Sequence, residues 1–262
     1  MQRFQFYFCA ALILFSQPVL AAETSMFGLG VESFVWKEYD SDGSQLLKES
    51  GPRYVLTYQY KSERAESISY EFFADFYFGD VDYDGQTQTA IPVTSTTQYT
   101  GLRAEVLVDY HFLEGASSSL AFIGGLGGDG WSRDLKDTTT SSGAPVSGYT
   151  ENYLMIYGKL GLSLQFGSPE WRQNIKVGAR RPIYTEETID EFFVTLNPKP
   201  TTTLFAGWDQ RWTMSQDTTM GLSIYYEHTR FDPSDVELSA IGYVYQPESD
   251  MQVVGAKLLY SF

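Results

Sequence analysis

The chain is short of cysteine, histidine, basic charge and long apolar runs. It has one cysteine (Cys9), two histidines, and 18 Lys and Arg against 33 Asp and Glu. A lone cysteine near the N-terminus leaves the remaining chain with no disulfide framework and no thiol chemistry. A formal net charge of −15 is the opposite of the basic footprint that nucleic-acid binding needs. Beyond the first residues no apolar stretch reaches the ~18 residues of a membrane-spanning helix, which excludes a helical membrane protein.

Aromatic residues are plentiful: 19 Tyr and 18 Phe among 262 residues. Mean hydropathy is nevertheless −0.23. Strict alternation reconciles the two, because each apolar residue then has a polar neighbour. The N-terminus stands apart. Arg3, the apolar run Phe6 to Phe15 and the small-residue site Val19-Leu20-Ala21 have the layout of a secretory signal peptide, cut after Ala21 or Ala22. Residues 1–21 are therefore expected to leave, Cys9 with them, and residues 22–262 to form one domain.

Ten alternating runs follow, separated by turn chemistry. They start at Met26, Arg53, Ser67, Thr97, Ser118, Tyr149, Trp171, Thr201, Thr218 and Met251. In the third run Ile68, Tyr70, Phe72, Ala74, Phe76 and Phe78 share one face, and Ser69, Glu71 and Asp75 share the other. In the fourth, Leu102, Ala104, Val106, Val108, Tyr110 and Phe112 oppose Arg103, Glu105, Asp109 and His111. The connections alternate in length. Long loops are expected at 40–52, 80–96, 134–148, 182–200 and 232–250, with short turns between them.

The last run, Met251 to Phe262, resembles the closing strand of bacterial outer-membrane β-barrels. Gly255, Leu258 and Tyr260 match the spacing of the signal that the barrel insertion machinery reads, and Phe262 supplies the aromatic end. Val253 stands where that signal has a polar residue. The resemblance implies an all-β fold: a closed antiparallel up-and-down transmembrane β-barrel of ten strands, or twelve if Val236 to Tyr245 adds a hairpin. It implies a monomer in the outer membrane of a Gram-negative bacterium, touching outer-membrane lipid and lipopolysaccharide. Alternating long and short connections fit outer loops and periplasmic turns. Two aromatic belts are expected, with Trp36, Tyr39, Tyr99, Trp131, Tyr184, Trp208 and Phe231 in the outer one.

The polar faces carry both signs of charge. Glu71, Asp75, Arg103, Glu105, Lys159, Lys176, Arg180, Asp209, Arg211 and Glu227 are the expected lumen charges, with Glu32, Asp109 and Lys257 on the same parity. So narrow a barrel is filled by side chains, and enclosed charges must pair. The expected role is structural or surface-interacting, through acidic outer loops. A narrow pore for small solutes is the alternative, and a rim hydrolase the third. For the hydrolase, Asp80, Asp82, Glu227 and His228 would have to meet at the rim. No cofactor is required. Asp80, Asp82 and Asp84, followed by Gly85, resemble the start of a calcium loop, although Ile91 occupies the position of its closing carboxylate.

Overall fold

The computed structural model describes residues 23–62, 67–87, 90–168, 170–215 and 218–261. The signal segment and Phe262 lie outside the described residues. Ten long strands dominate: β1 Glu23–Tyr39, β2 Gln45–Ser62, β3 Ile68–Gln86, β4 Pro92–Glu114, β5 Ser118–Leu135, β6 Thr150–Gly167, β7 Trp171–Ile189, β8 Thr203–Thr213, β9 Thr219–Asp232 and β10 Glu248–Ser261. Each pairs antiparallel with its sequence neighbours, and β10 pairs with β1, from Phe27 opposite Tyr260 to Tyr39 opposite Glu248. The sheet is thus a closed ten-stranded barrel. Closure satisfies every edge, as a sheet in lipid requires.

Period 2 decides what faces out. Phe27, Leu29 and Val31 of β1, Leu102, Val106 and Tyr110 of β4, and Leu258 and Tyr260 of β10 are exposed. Their neighbours Glu32, Arg103, Glu105 and Lys257 are buried. On β3 the outward apolar stretch runs from Ile68 to Phe78. Ten residue steps span about 33 Å along the strand, which is about 25 Å along the axis at the usual barrel tilt. That matches the lipid-facing band of a transmembrane barrel.

The strands do not stop at the top of this band. Above Phe78 the outward positions of β3 are Asp80, Asp82 and Asp84, paired across β4 with Gln98, Thr96 and Thr94. Asn152 of β6 and Thr188 of β7 sit at the same level on paired strands. The barrel wall therefore continues into water at this end, here called the loop end. Most of the expected loop residues at 45–52, 80–86, 92–96 and 182–189 are strand. Alternation persists there with polar residues outside, so a hydrophobicity pattern alone cuts these strands short.

The expected hairpin at Val236 to Tyr245 exists. Glu237–Ser239 pairs with Gly242–Val244 as a separate two-stranded sheet, outside the barrel. It lies over the connection between β7 and β8, where Ala240 N–H donates to the Phe192 carbonyl at 3.0 Å.

Candidate functional site

The chemistry-bearing residues converge in the lumen, in three levels. The middle level lies within the apolar band. Glu32, fully buried, accepts from Arg53 Nη2 at 2.7 Å, Arg103 Nη2 at 2.6 Å and the Tyr225 hydroxyl at 2.6 Å. Arg103 bridges onward to Glu227 at 2.6 Å. Glu227 also accepts from Lys159 at 2.8 Å and Arg180 at 2.9 Å. Lys159 reaches Glu105 at 2.6 Å, and Lys257 reaches Asp75 at 2.5 Å. Lys176 donates to both oxygens of Glu71, at 2.8 and 2.7 Å, and lies 3.4 Å from Asp209. Each cation here meets a carboxylate, which is the condition for burying charge without a large penalty.

Aromatic faces complete the packing. Arg53 stacks over Phe34 at 4.1 Å and Tyr77 at 4.4 Å, and Arg180 over Tyr157 at 3.9 Å. These rings need floor space, and glycines supply it. A Cβ at Gly255 would lie 2.2 Å from Cζ of Tyr225, and one at Gly101 would lie 2.4 Å from Cζ of Tyr77. Gly255, an expected insertion-signal residue, thus also makes room for the ring whose hydroxyl binds Glu32.

The loop-end level lies above the apolar band and is differently built. Arg133 sits among Glu49, Glu151 and Glu38, at 2.9 Å from Glu49, in direct contact with Glu151 and at 3.3 Å from Glu38. Thr97 donates to Glu49 at 2.8 Å, and the Tyr99 hydroxyl also donates to it. Trp36 Nε1 donates to Glu38 at 2.9 Å and the Tyr153 hydroxyl to Glu151 at 3.0 Å. Trp131 stacks on Tyr153, centroids 4.8 Å apart and nearly parallel. Trp36, Tyr99, Trp131 and Phe231, expected in a lipid-facing belt, are therefore inside the barrel and buried. Their parity is that of Glu32, Arg103, Arg133 and Glu227; the Trp36 indole and the Tyr99 hydroxyl have lumen partners, whereas Trp131 Nε1 has none.

At the opposite, turn end the lumen widens into a vestibule of about 470 Å³, lined among others by Lys61, His111, Asn174, Asp209 and Arg211. His111 sits between the hydroxyls of Ser69 at 3.1 Å and Ser119 at 3.2 Å. A cavity of about 80 Å³ lies among the middle charges and shares Asp209 with the vestibule wall. Above it comes the layer of Phe34, Tyr77, Tyr99, Trp131, Tyr153 and Tyr157, one continuous buried cluster.

The other expected groupings fare differently. All ten expected lumen charges do face the interior, Asp209 and Arg211 half-buried at the vestibule. Asp80, Asp82 and Asp84 occupy successive outward positions of a straight strand, not a loop. Neighbours on one face of a strand are about 7 Å apart, and no group of three or more acidic or histidine residues able to hold a metal ion occurs among the described residues. The rim constellation does not assemble. Glu227 points inward to Arg103, whereas His228 points outward and pairs with Asp250 at 2.6 Å. β3, bearing Asp80 and Asp82, is separated from β9 by β10, β1 and β2. Leu258 and Tyr260 face out at the turn end.

No protein-family model matches the chain, and no curated protein does. Solved structures do. The outer membrane protease OmpT from Escherichia coli superposes with a TM-score of 0.57 at 10% identity, over 92% of this chain and 96% of that one. The chain has the outer-membrane β-barrel fold. Weaker matches are the transport unit of the autotransporter AIDA-I from Escherichia coli (TM-score 0.45, 10% identity, 95% and 94% covered) and the translocator domain of the autotransporter NalP from Neisseria meningitidis (TM-score 0.40, 10% identity, 89% and 88% covered). At such identity the likeness to OmpT is one of fold. Side chains decide what this barrel does with it.

Proposed function

We propose that the protein is a closed barrel of the Gram-negative outer membrane that acts through its loop end as a surface-interaction module. The observation that carries this is the pairing of a lumen closed toward its loop end by the aromatic layer and the Arg133 cluster with an apolar loop tip. The lumen offers solutes no matching specificity, because its charges are spent on one another. At the loop end, by contrast, Phe193 is 85% exposed, Tyr243 80% and Leu238 69%. Phe193 is one of two non-glycine residues with positive φ among the described residues, at 51°. That conformation is unfavourable for a bulky side chain, so the fold holds this ring out against a backbone preference. Solvent-exposed rings next to acidic Asp190, Glu191 and Glu237 form the surface that a partner would meet.

The outward row Asp80, Asp82 and Asp84 lies just above the lipid band, where it would share divalent cations with lipopolysaccharide phosphates. The test compares cells displaying the wild-type barrel with cells displaying Phe193→Ser/Leu238→Ser/Tyr243→Ser, scored for adhesion to apolar and protein-coated surfaces. Reduced adhesion at equal barrel abundance is expected; equal adhesion contradicts the reading.

A second reading, a narrow pore, draws on the vestibule and the cavity behind it, which together penetrate the turn-end half of the lumen. The aromatic layer and Arg133 cluster stand across its continuation.

A further inference from the structure

At the middle level Glu32, Asp75, Glu105 and Glu227 each meet a cation, whereas at the loop end one glutamate meets none. There four glutamates surround one guanidinium. Glu49, Glu151 and Glu38 each receive Arg133 and at least one hydroxyl or indole donor. Glu187 of β7 makes no ion pair with Arg133, and Tyr153, the phenol opposite it, donates to Glu151 instead. Glu187 is fully buried, and neither carboxylate oxygen has a hydrogen-bond partner. An ionised carboxylate in that position would be among the most costly groups a fold can enclose.

The groups around it come from every neighbouring wall. β6 brings Glu151 and Tyr153, the latter directly opposite Glu187 in register. β1 brings Glu38, β2 brings Glu49, and β5 brings Arg133. Tyr83 of β3, Tyr99 of β4 and Tyr149, ahead of β6, add phenols facing the same charges. On the loop side Leu196 pairs with Glu187 and packs with Ile189 and Val194, an apolar lid over the cluster. Arg133 is the sole fixed cation in that inventory.

We propose that Glu187 is a proton-binding site, and that losing this proton unlatches the loop end of the lumen. With Glu187 neutral, three carboxylates share Arg133 and the lid packs on an uncharged group. With Glu187 ionised, a fourth negative charge enters a dry chamber, and water must enter to solvate it. The direction of its titration agrees: burial, then the charges of Glu151 and Glu38, hold the Glu187 carboxyl well above the usual carboxylate range. Glu38 is raised as well, by burial, with Arg133 opposing.

Infrared difference spectroscopy of the full barrel in lipid bilayers, titrated with pH, reads the site directly. The wild type is expected to show the carbonyl stretch of a protonated carboxyl at neutral pH. The band should vanish on alkalinisation together with a shift in Trp36 and Trp131 fluorescence. Glu187→Gln should lack the band's Glu187 component and show no fluorescence transition. If Glu187→Gln fails to fold, Glu151→Gln carries the test, because removing a neighbouring negative charge should move the wild-type transition to lower pH. A wild type without the band, a band unchanged in Glu187→Gln, or an unmoved midpoint in Glu151→Gln overturns the proposal.

Discussion

The middle of the lumen and its loop end use the same residue types to opposite effect. In the middle, Arg53, Arg103, Lys159, Arg180 and Lys257 alternate in space with Glu32, Asp75, Glu105 and Glu227. Each carboxylate is held by at least one cation. At the loop end one cation stands among four glutamates and pairs with three, and phenol, hydroxyl and indole groups supply most of the remaining donors. The first arrangement is a lock of opposite charges, each within reach of a partner. The second is stable only while a proton is retained. Lipid surrounds the first, so it has no access to water from the side; the second stands above the lipid, where opening exposes it to solvent.

The largest effect should come from breaking the lock. Arg103→Met removes the guanidinium shared by Glu32 and Glu227 and leaves both partly uncompensated. Breaking a buried pair in this way typically costs about 3–5 kcal/mol, so urea unfolding in lipid should move to much lower denaturant. An unchanged midpoint would mean that the middle charges are hydrated and not locked. Next comes Gly255→Val. The new side chain has no room beside Tyr225, and overpacking of this kind costs about 1–3 kcal/mol. Barrel yield should fall too, read as the heat-modifiable folded fraction on gels. Tyr225→Phe removes one hydrogen bond to Glu32, with a loss of about 1.5–3 kcal/mol for a charged acceptor.

The loop end should respond to pH through Glu187. Glu187 is raised, so the stability its protonated form lends is complete below the ordinary carboxyl range. It fades as pH climbs through the raised value. Wild-type stability should therefore fall on the alkaline side, and Glu187→Gln should flatten that fall. A steeper fall in the variant would refute the comparison. The smallest effect belongs to the outer wall. His228 and Asp250 are both partly exposed, and His228→Ala should change stability by less than about 1 kcal/mol.

Much of the middle level was legible in the sequence. Arg103, Glu105, Lys159, Lys176, Arg180 and Glu227 each sit one step from apolar neighbours, and parity alone assigns them inward. The loop end was hidden because its strands carry polar residues on both faces. Glu49 and Glu187 fell in stretches that read as loops, and Glu151 and Arg133 at the ends of runs. A signal was present: Glu49, Gly51, Arg53 and Val55 keep one parity through the turn-like Gly51-Pro52, and all but the glycine are fully or nearly buried. Trp36 and Tyr99 were misplaced for a related reason. An aromatic ring near a strand end marks a lipid interface only when its parity is outward. Partners across the lumen, such as Arg103 with Glu227, 124 residues apart, follow from closure and stagger, which no local pattern encodes.

Single-channel recording of the purified barrel in planar bilayers tests the central claim most directly. A lumen closed by paired charges and a buried aromatic layer predicts a flat trace at neutral pH under applied voltage. Stable, reproducible conductance steps from the wild-type protein at neutral pH would contradict it.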